Sequence, residues 1–149
     1  MRTLQLRLRS TMPPAPLPSE VIELIRRPNP AVIASLRPDG SPHTIATWYD
    51  WQDGHVLLNM DESRRRLGFI RADPRVALTV LDSESWYRHI SLIGLIVRIK
   101  EDAQLNDIDR LAIHYTGQPF QIRHARRYSA WMKIDAWHGW EGSQPWPRR

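Results

Sequence analysis

The shortness of the turns between apolar runs is what most restricts how this chain can fold. Ala31 to Leu36 is rich in β-formers, and Arg37-Pro38-Asp39-Gly40 follows, with proline preset for a turn and glycine able to take positive φ. Pro42 to Asp50 returns as a second strand, so the pair is predicted to be a hairpin. A second turn, Gln52-Asp53-Gly54, leads into a third strand from His55 to Met60. Connections of this length favour antiparallel neighbours, because parallel pairing needs a long crossover.

The remaining segments extend the pattern. Ser19 is read as the cap of a helix with Val21, Ile22, Leu24 and Ile25 on one face, stopped by Pro28. After the polar corner Asp61-Glu62-Ser63, a helix is predicted to open at Arg64 and stop at Asp73-Pro74, with Leu67 and Ile70 inward. Val76 to Leu81 reads as a buried strand, and Trp86 to Lys100 as a long strand with Gly94 marking a bulge or a close approach. Asp102 precedes an amphipathic helix carrying Leu105, Ile108, Leu111, Ala112 and Tyr115, closed by Gly117. Arg127 to Ala136 is the last strand, and the tail WHGWEGSQPWPRR reads as irregular. Six strands joined by hairpins or single short helices argue for a mainly β fold, a six-stranded antiparallel barrel with a few short helices. At 149 residues, 42% hydrophobic and 25% charged, the chain suits one domain with a real core. Residues 19–140 are assigned to that domain. Met1 to Pro18, with its Arg/Leu alternation and MPPAPLP, is expected to be a mobile arm, and residues 141–149 a tail.

Several chemistries lack their residues. Cysteine is absent, which excludes disulfides, thiolate metal sites and a cysteine nucleophile. The six histidines show no helical i, i+4 zinc pairing, and neither a Gly-x-Ser-x-Gly elbow nor a P-loop occurs. No apolar run approaches a membrane span and no signal-peptide core is seen, so a cytoplasmic location is expected, without membrane partners. The net charge of +5 and pI of 10.2 would suit a nucleic-acid binder, but the basic residues are dispersed and no nucleic-acid motif organises them. No nucleic-acid partner is expected. A chain so equipped would react by way of a cofactor.

The arginine-rich corner points to the ligand's charge. A helix N-terminus already carries partial positive charge, so Arg64, Arg65 and Arg66 in a first turn add to a field that an anion would relieve. Backbone N–H groups, the Ser63 hydroxyl and guanidinium forks together make a phosphate receptacle. A solvated basic helix face, with Asp61 and Glu62 as counter-charges, accounts for the same residues. The seven tryptophans suit a core, a flat aromatic pocket or a subunit interface.

The ordered segments NPAVIASLRPDGSPHTIATWYDW, LLNMDESRRR, RADPRVALTV, WYRHISLIG and HYTGQPF, with a closing WHGW, resemble the split β-barrel flavin and deazaflavin oxidoreductases. That superfamily includes pyridoxamine 5′-phosphate oxidase, and the chain is most similar to the branch that uses coenzyme F-420. The match covers about Ser19 to Trp140. The resemblance implies a cofactor phosphate held by Ser63, Arg64 and Arg65, with Asn59 just before them. It implies a ring lying along the strand of Thr47, Trp48 and Tyr49, which offers backbone N–H and C=O groups. It further implies a homodimer with sites at the two-fold interface, where Trp86, Tyr87, Arg88 and His89 reach across from the other subunit. The expected activity is hydride transfer between coenzyme F-420 and a planar conjugated small molecule. FMN as the cofactor, or a non-catalytic flavin, deazaflavin or haem carrier, are the alternatives. No catalytic residue is singled out, and the proton comes from solvent or from Tyr49, Tyr87 or His89. Ile93 and Leu95 stand where related sequences often carry basic residues, and Gly68-Phe69 where a polar pair is common. Asp50 stands where the flavin-phosphate oxidases place a lysine, which argues against pyridoxamine phosphate oxidase activity itself.

Overall fold

The computed structural model describes residues 16–148. The predicted arm therefore falls, over residues 1–15, outside the described residues. Among the described residues three helices and eight strands follow in chain order: α1 (Ser19–Ile25), β1 (Ala31–Leu36), β2 (Pro42–Thr47), β3 (Asp50–Gln52), β4 (His55–Asp61), α2 (Arg65–Ala72), β5 (Arg75–Leu81), β6 (Arg88–Glu101), α3 (Asn106–Thr116), β7 (Arg127–Glu141) and β8 (Gln144–Pro145).

All strands join one antiparallel sheet in the order β2-β1-β5-β6-β7-β4-β3, with β8 folded back on β7. The antiparallel split-barrel class expected from the sequence is what the chain adopts, with eight strands in place of six and a sheet that does not close. The count differs because the chain leaves the sheet at Trp48 and Tyr49, which separates the short β3 from β2, and because β7 runs through the tryptophans to Glu141 before returning as β8. The tail read as irregular is thus largely paired.

The frame is the β6–β7 ribbon, 14 and 15 residues long. β5 pairs with the first half of β6, from His89 to Leu95, whereas β4 pairs with the first half of β7, from Arg127 to Lys133. The two halves of the sheet therefore hang from opposite ends of one ribbon. Irregularities at Ile93/Gly94 and Ile96/Arg98 bend it. A β-carbon on Gly94 would strike the backbone of Lys133, so glycine is required there by close approach.

The inner face buries Ile33, Leu78, Val80, Ile90, Leu92, Leu58 and Met132, covered by Val21, Leu24 and Ile25 of α1. Period-2 alternation sends Val56, Leu58 and Met60 of β4 into this core and Leu57 and Asn59 to the other face, where both are also buried. The start of α3 lies over that second face. Asp102 ties it down, accepting from the backbone N–H groups of Asp107 (3.2 Å) and Ile108 (2.9 Å) and from the Asn59 amide (3.1 Å). Pro18, not Ser19, occupies the cap of α1, and Arg64 is extended, so α2 starts one residue later than predicted.

Candidate functional site

Between the end of β4 and the start of α2 the chain turns around one carboxylate. Asp61 accepts from the Ser63 N–H (2.9 Å), from the Ser63 hydroxyl and from Arg64 Nε (3.2 Å). Burial acts to raise the Asp61 pKa, but the Ser63 hydrogen bonds and the charges of Arg64 and Arg127 outweigh it, and the carboxyl lies below its ordinary value. Arg64 and Arg65 stay exposed at the mouth of the turn. Arg66 folds back instead. Its Nη2 donates to the Asn59 carbonyl (3.1 Å), while its Nη1 is buried with no hydrogen-bond partner among the described residues. Burial first, then repulsion from Arg64 and Arg127, pushes the Arg66 guanidinium down to about 10.

A fourth guanidinium comes from β7. Arg127, only 8% exposed, donates from Nε to Asn59 Oδ1 (2.8 Å), with its guanidinium carbon 4.6 Å from the Phe120 ring centroid. Its Nη1 lies 4.0 Å from Asp61 Oδ2. The Asn59 amide nitrogen is engaged on the opposite side, by Asp102 and by Ser129 Oγ, each at 3.1 Å. Asn59 is therefore held at both ends.

These groups form one wall of a cleft of about 1000 Å³. Val32, Ile45, Ala46, Thr47 and Trp48 line it from β1, β2 and the residue after β2, and Tyr115, Phe120 and Ile122 from α3 and the loop beyond. Trp48 stacks on Tyr115 with centroids 5.4 Å apart and planes 13° apart, and Phe120 meets it edge-on at 6.2 Å. The Tyr115 hydroxyl donates to the Asn29 carbonyl (2.7 Å), and burial raises its pKa. β2 is outermost in the sheet, so one edge of its backbone has no strand partner among the described residues. An anion receptacle and an open strand edge thus share one cavity.

Of the residues singled out from sequence, Thr47, Trp48, Asn59, Ser63, Arg64 and Arg65 all line this cleft. Tyr49 does not: it is fully buried, its hydroxyl donates to the Arg27 carbonyl (3.0 Å), and burial raises its pKa far above the phenol range. Trp86, Tyr87, Arg88 and His89 also lie outside it. Trp86 and Tyr87 stack on each other at 4.5 Å and stand 62% and 57% exposed before β6. Arg88 pairs with Glu141 (2.8 Å) and lies over Trp146, and His89 sits opposite Trp140 with Nδ1 buried and unpartnered. Asp50 is paired with Arg110 (3.0 Å). Arg127 is the cleft arginine that sequence reasoning passed over. Arg66 was visible as the third arginine of the run, whereas Arg127 lies 68 residues from the Asn59 it joins and read only as part of a dispersed basic stretch. Among the described residues, no group of three His, Cys, Asp or Glu side chains could hold a metal, and no helix is long and apolar enough to cross a membrane.

A family model for pyridoxamine 5′-phosphate oxidase matches residues 17–141. The chain belongs to that family. No curated protein matches it by sequence. Among solved structures, a protein named F-420 reductase is 27% identical with a TM-score of 0.75, the likeness covering 81% of this chain and 98% of that one. A conserved hypothetical protein of Mycobacterium tuberculosis is 20% identical, TM-score 0.65, over 87% of this chain and 88% of that one. General stress protein 26 of Bacillus anthracis is 17% identical, TM-score 0.59, over 81% and 91%. The last two likenesses speak for the fold of the family alone.

Proposed function

We propose that this family member is a coenzyme F-420-dependent oxidoreductase, a homodimer that passes hydride between the deazaflavin and a planar conjugated small molecule. The observation that carries the reading is the cleft itself, in which the Ser63–Arg66 corner faces the same cavity as the open edge of β2. The buried, unpartnered Arg66 Nη1 fits an anion as its missing acceptor. Ser63, Arg64 and Arg65 hold the phosphate with Asn59 beside them, and the backbone of Thr47 and Trp48 flanks the ring. Bound there, the deazaflavin would supply the hydride chemistry. Trp86, Tyr87, Arg88 and His89 serve the site of the partner subunit, and the proton comes from solvent, from Tyr87 or from His89. The hydroxyl of Tyr49, engaged by Arg27 in the core, is a poor proton donor to the cleft. The likeness to an F-420 reductase favours this cofactor over FMN.

Titration with F-420 and, separately, FMN, followed by tryptophan fluorescence, tests the reading. Tight F-420 and weak FMN binding is expected, and Arg64→Ala with Arg65→Ala should weaken F-420 binding by about 100-fold or more while the fold is kept. Unchanged binding in that double variant overturns the phosphate assignment. Preference for FMN moves the protein to the flavin branch, and failure to bind either removes the enzyme.

A further inference from the structure

We propose that Arg127 is a second-wall anion ligand of the cleft, and that Asn59 serves as its positioning residue and not as a cofactor contact. The inference rests on the reading above that a phosphate-bearing cofactor occupies the cleft. Three observations lead to it. First, the Asn59 side chain has no free donor to offer an anion: the amide nitrogen is engaged by Asp102 and Ser129, and Oδ1 receives Arg127 Nε. Second, that bond and the Phe120 ring fix the guanidinium of a residue only 8% exposed, yet one that still lines the cleft. Third, the nearest carboxylate to its Nη1 is Asp61 at 4.0 Å, and Asp61 is already engaged by Ser63 and Arg64.

Arg64, Arg65, Arg66 and Arg127 thus line a cleft whose described lining holds one carboxylate, Asp61, leaving a positive excess and a buried N–H of Arg66 without an acceptor. Charges held apart in this way by fixed partners favour a ligand that brings negative charge between them. The ligand class is a phosphate ester gripped from two sides, by the start of α2 and the start of β7. Arginine suits the second wall because its planar fork can keep Nε on Asn59 and present its Nη groups to the anion.

The test compares each cofactor with its phosphate-free chromophore: FMN against riboflavin, and F-420 against its dephosphorylated deazaflavin. Binding is read by tryptophan fluorescence in the wild type, Arg127→Gln, Arg127→Lys and Asn59→Leu. In both Arg127→Gln and Asn59→Leu, affinity for the phosphorylated form should fall by about 10- to 100-fold and affinity for the bare chromophore should hold. Arg127→Lys should recover part of the loss, and the melting temperature of the wild type should rise with inorganic phosphate more than that of Arg127→Lys. Equal loss for both forms assigns Arg127 and Asn59 a structural role only and overturns the inference, as does unchanged binding. If Arg127→Gln does not fold, Arg127→Lys decides: wild-type discrimination between the two forms, with an undiminished phosphate shift, overturns the inference. Should no cofactor bind while the phosphate shift still depends on Arg127, the proposed function falls and the anion site stands. Should F-420 bind with no dependence on Arg127, the reverse holds.

Discussion

Asn29 shows what one buried side chain contributes here. It is fully buried, its amide donates to the Leu24 carbonyl (2.7 Å), and its Oδ1 receives the Ser83 N–H (3.1 Å). Its own carbonyl accepts from Tyr115. One residue thus joins the end of α1, the loop before β6 and the last turn of α3. Asn29→Ala removes both bonds: the Leu24 carbonyl keeps the Arg27 N–H, the Ser83 N–H loses its protein acceptor, and each lost bond is worth about 1 kcal/mol. Urea unfolding should show a loss of about 1–3 kcal/mol. His138 provides a pH dependence. Burial first, and then the charge of His89, lowers its pKa below the ordinary histidine value. A histidine whose folded pKa is depressed contributes stability above its unfolded pKa of about 6.5, and that contribution is lost as pH falls through the folded value. Stability measured by urea should therefore decline on acidification below about pH 6.5. His138→Gln should flatten that part of the profile, and an unchanged slope would show that His138 does not drive it.

Elements were legible where a local rule governed them. The hairpin of β1 and β2 follows from Pro38 and from Gly40 at φ +84°, and α3 ends where Gly117 takes φ +79°. Boundaries failed where tertiary contacts decided. α1 has no serine cap bond, and β7 runs past Ala136 because Trp137 and Gly139 pair with Leu92 and Ile90 across the ribbon. Gly94 was read from sequence as a bulge or a close approach, and it is both: the register with β7 shifts there, and Lys133 backbone fills the space a side chain would need. Because the obstruction is backbone inside a paired ribbon, relief requires β6 and β7 to part locally. Gly94→Ala should cost at least about 2 kcal/mol, read as a lowered denaturation midpoint. Gly68, where an added β-carbon meets nothing within 4 Å, provides the control, and Gly68→Ala should be neutral or slightly stabilising.

At the scale of the whole molecule, the strand-to-helix corner of the candidate cleft was readable because Ser63, Arg64 and Arg65 are consecutive and their chemistry is local. The second wall was not, because only folding brings Arg127 to Asn59. The part of the site proposed to come from another subunit depends on contacts between chains. One chain presents Trp86 and Tyr87 at 62% and 57% exposure, with Val32, Ile45 and Trp140 each more than a third exposed. An isolated stacked aromatic pair at that exposure forgoes several kcal/mol of apolar burial that an interface could recover. Large ring side chains of this kind commonly anchor the centre of such interfaces. The open sheet edge at β2 likewise presents backbone groups that natural proteins usually cover. A two-fold arrangement would let each Trp86-Tyr87 pair cover the apolar lip of the other chain's cleft, and would generate two equivalent sites. Sedimentation equilibrium should then return twice the 17.5 kDa of one chain at micromolar concentration. Trp86→Ser with Tyr87→Ser should shift that mass toward the monomer with an unchanged far-ultraviolet circular dichroism spectrum, because neither ring is part of the core. Cofactor affinity should fall with the dimer in that variant, although every arginine of the cleft is retained. A wild-type protein that sediments as a monomer and binds cofactor undiminished would confine the site to one chain and leave the aromatic pair without this role.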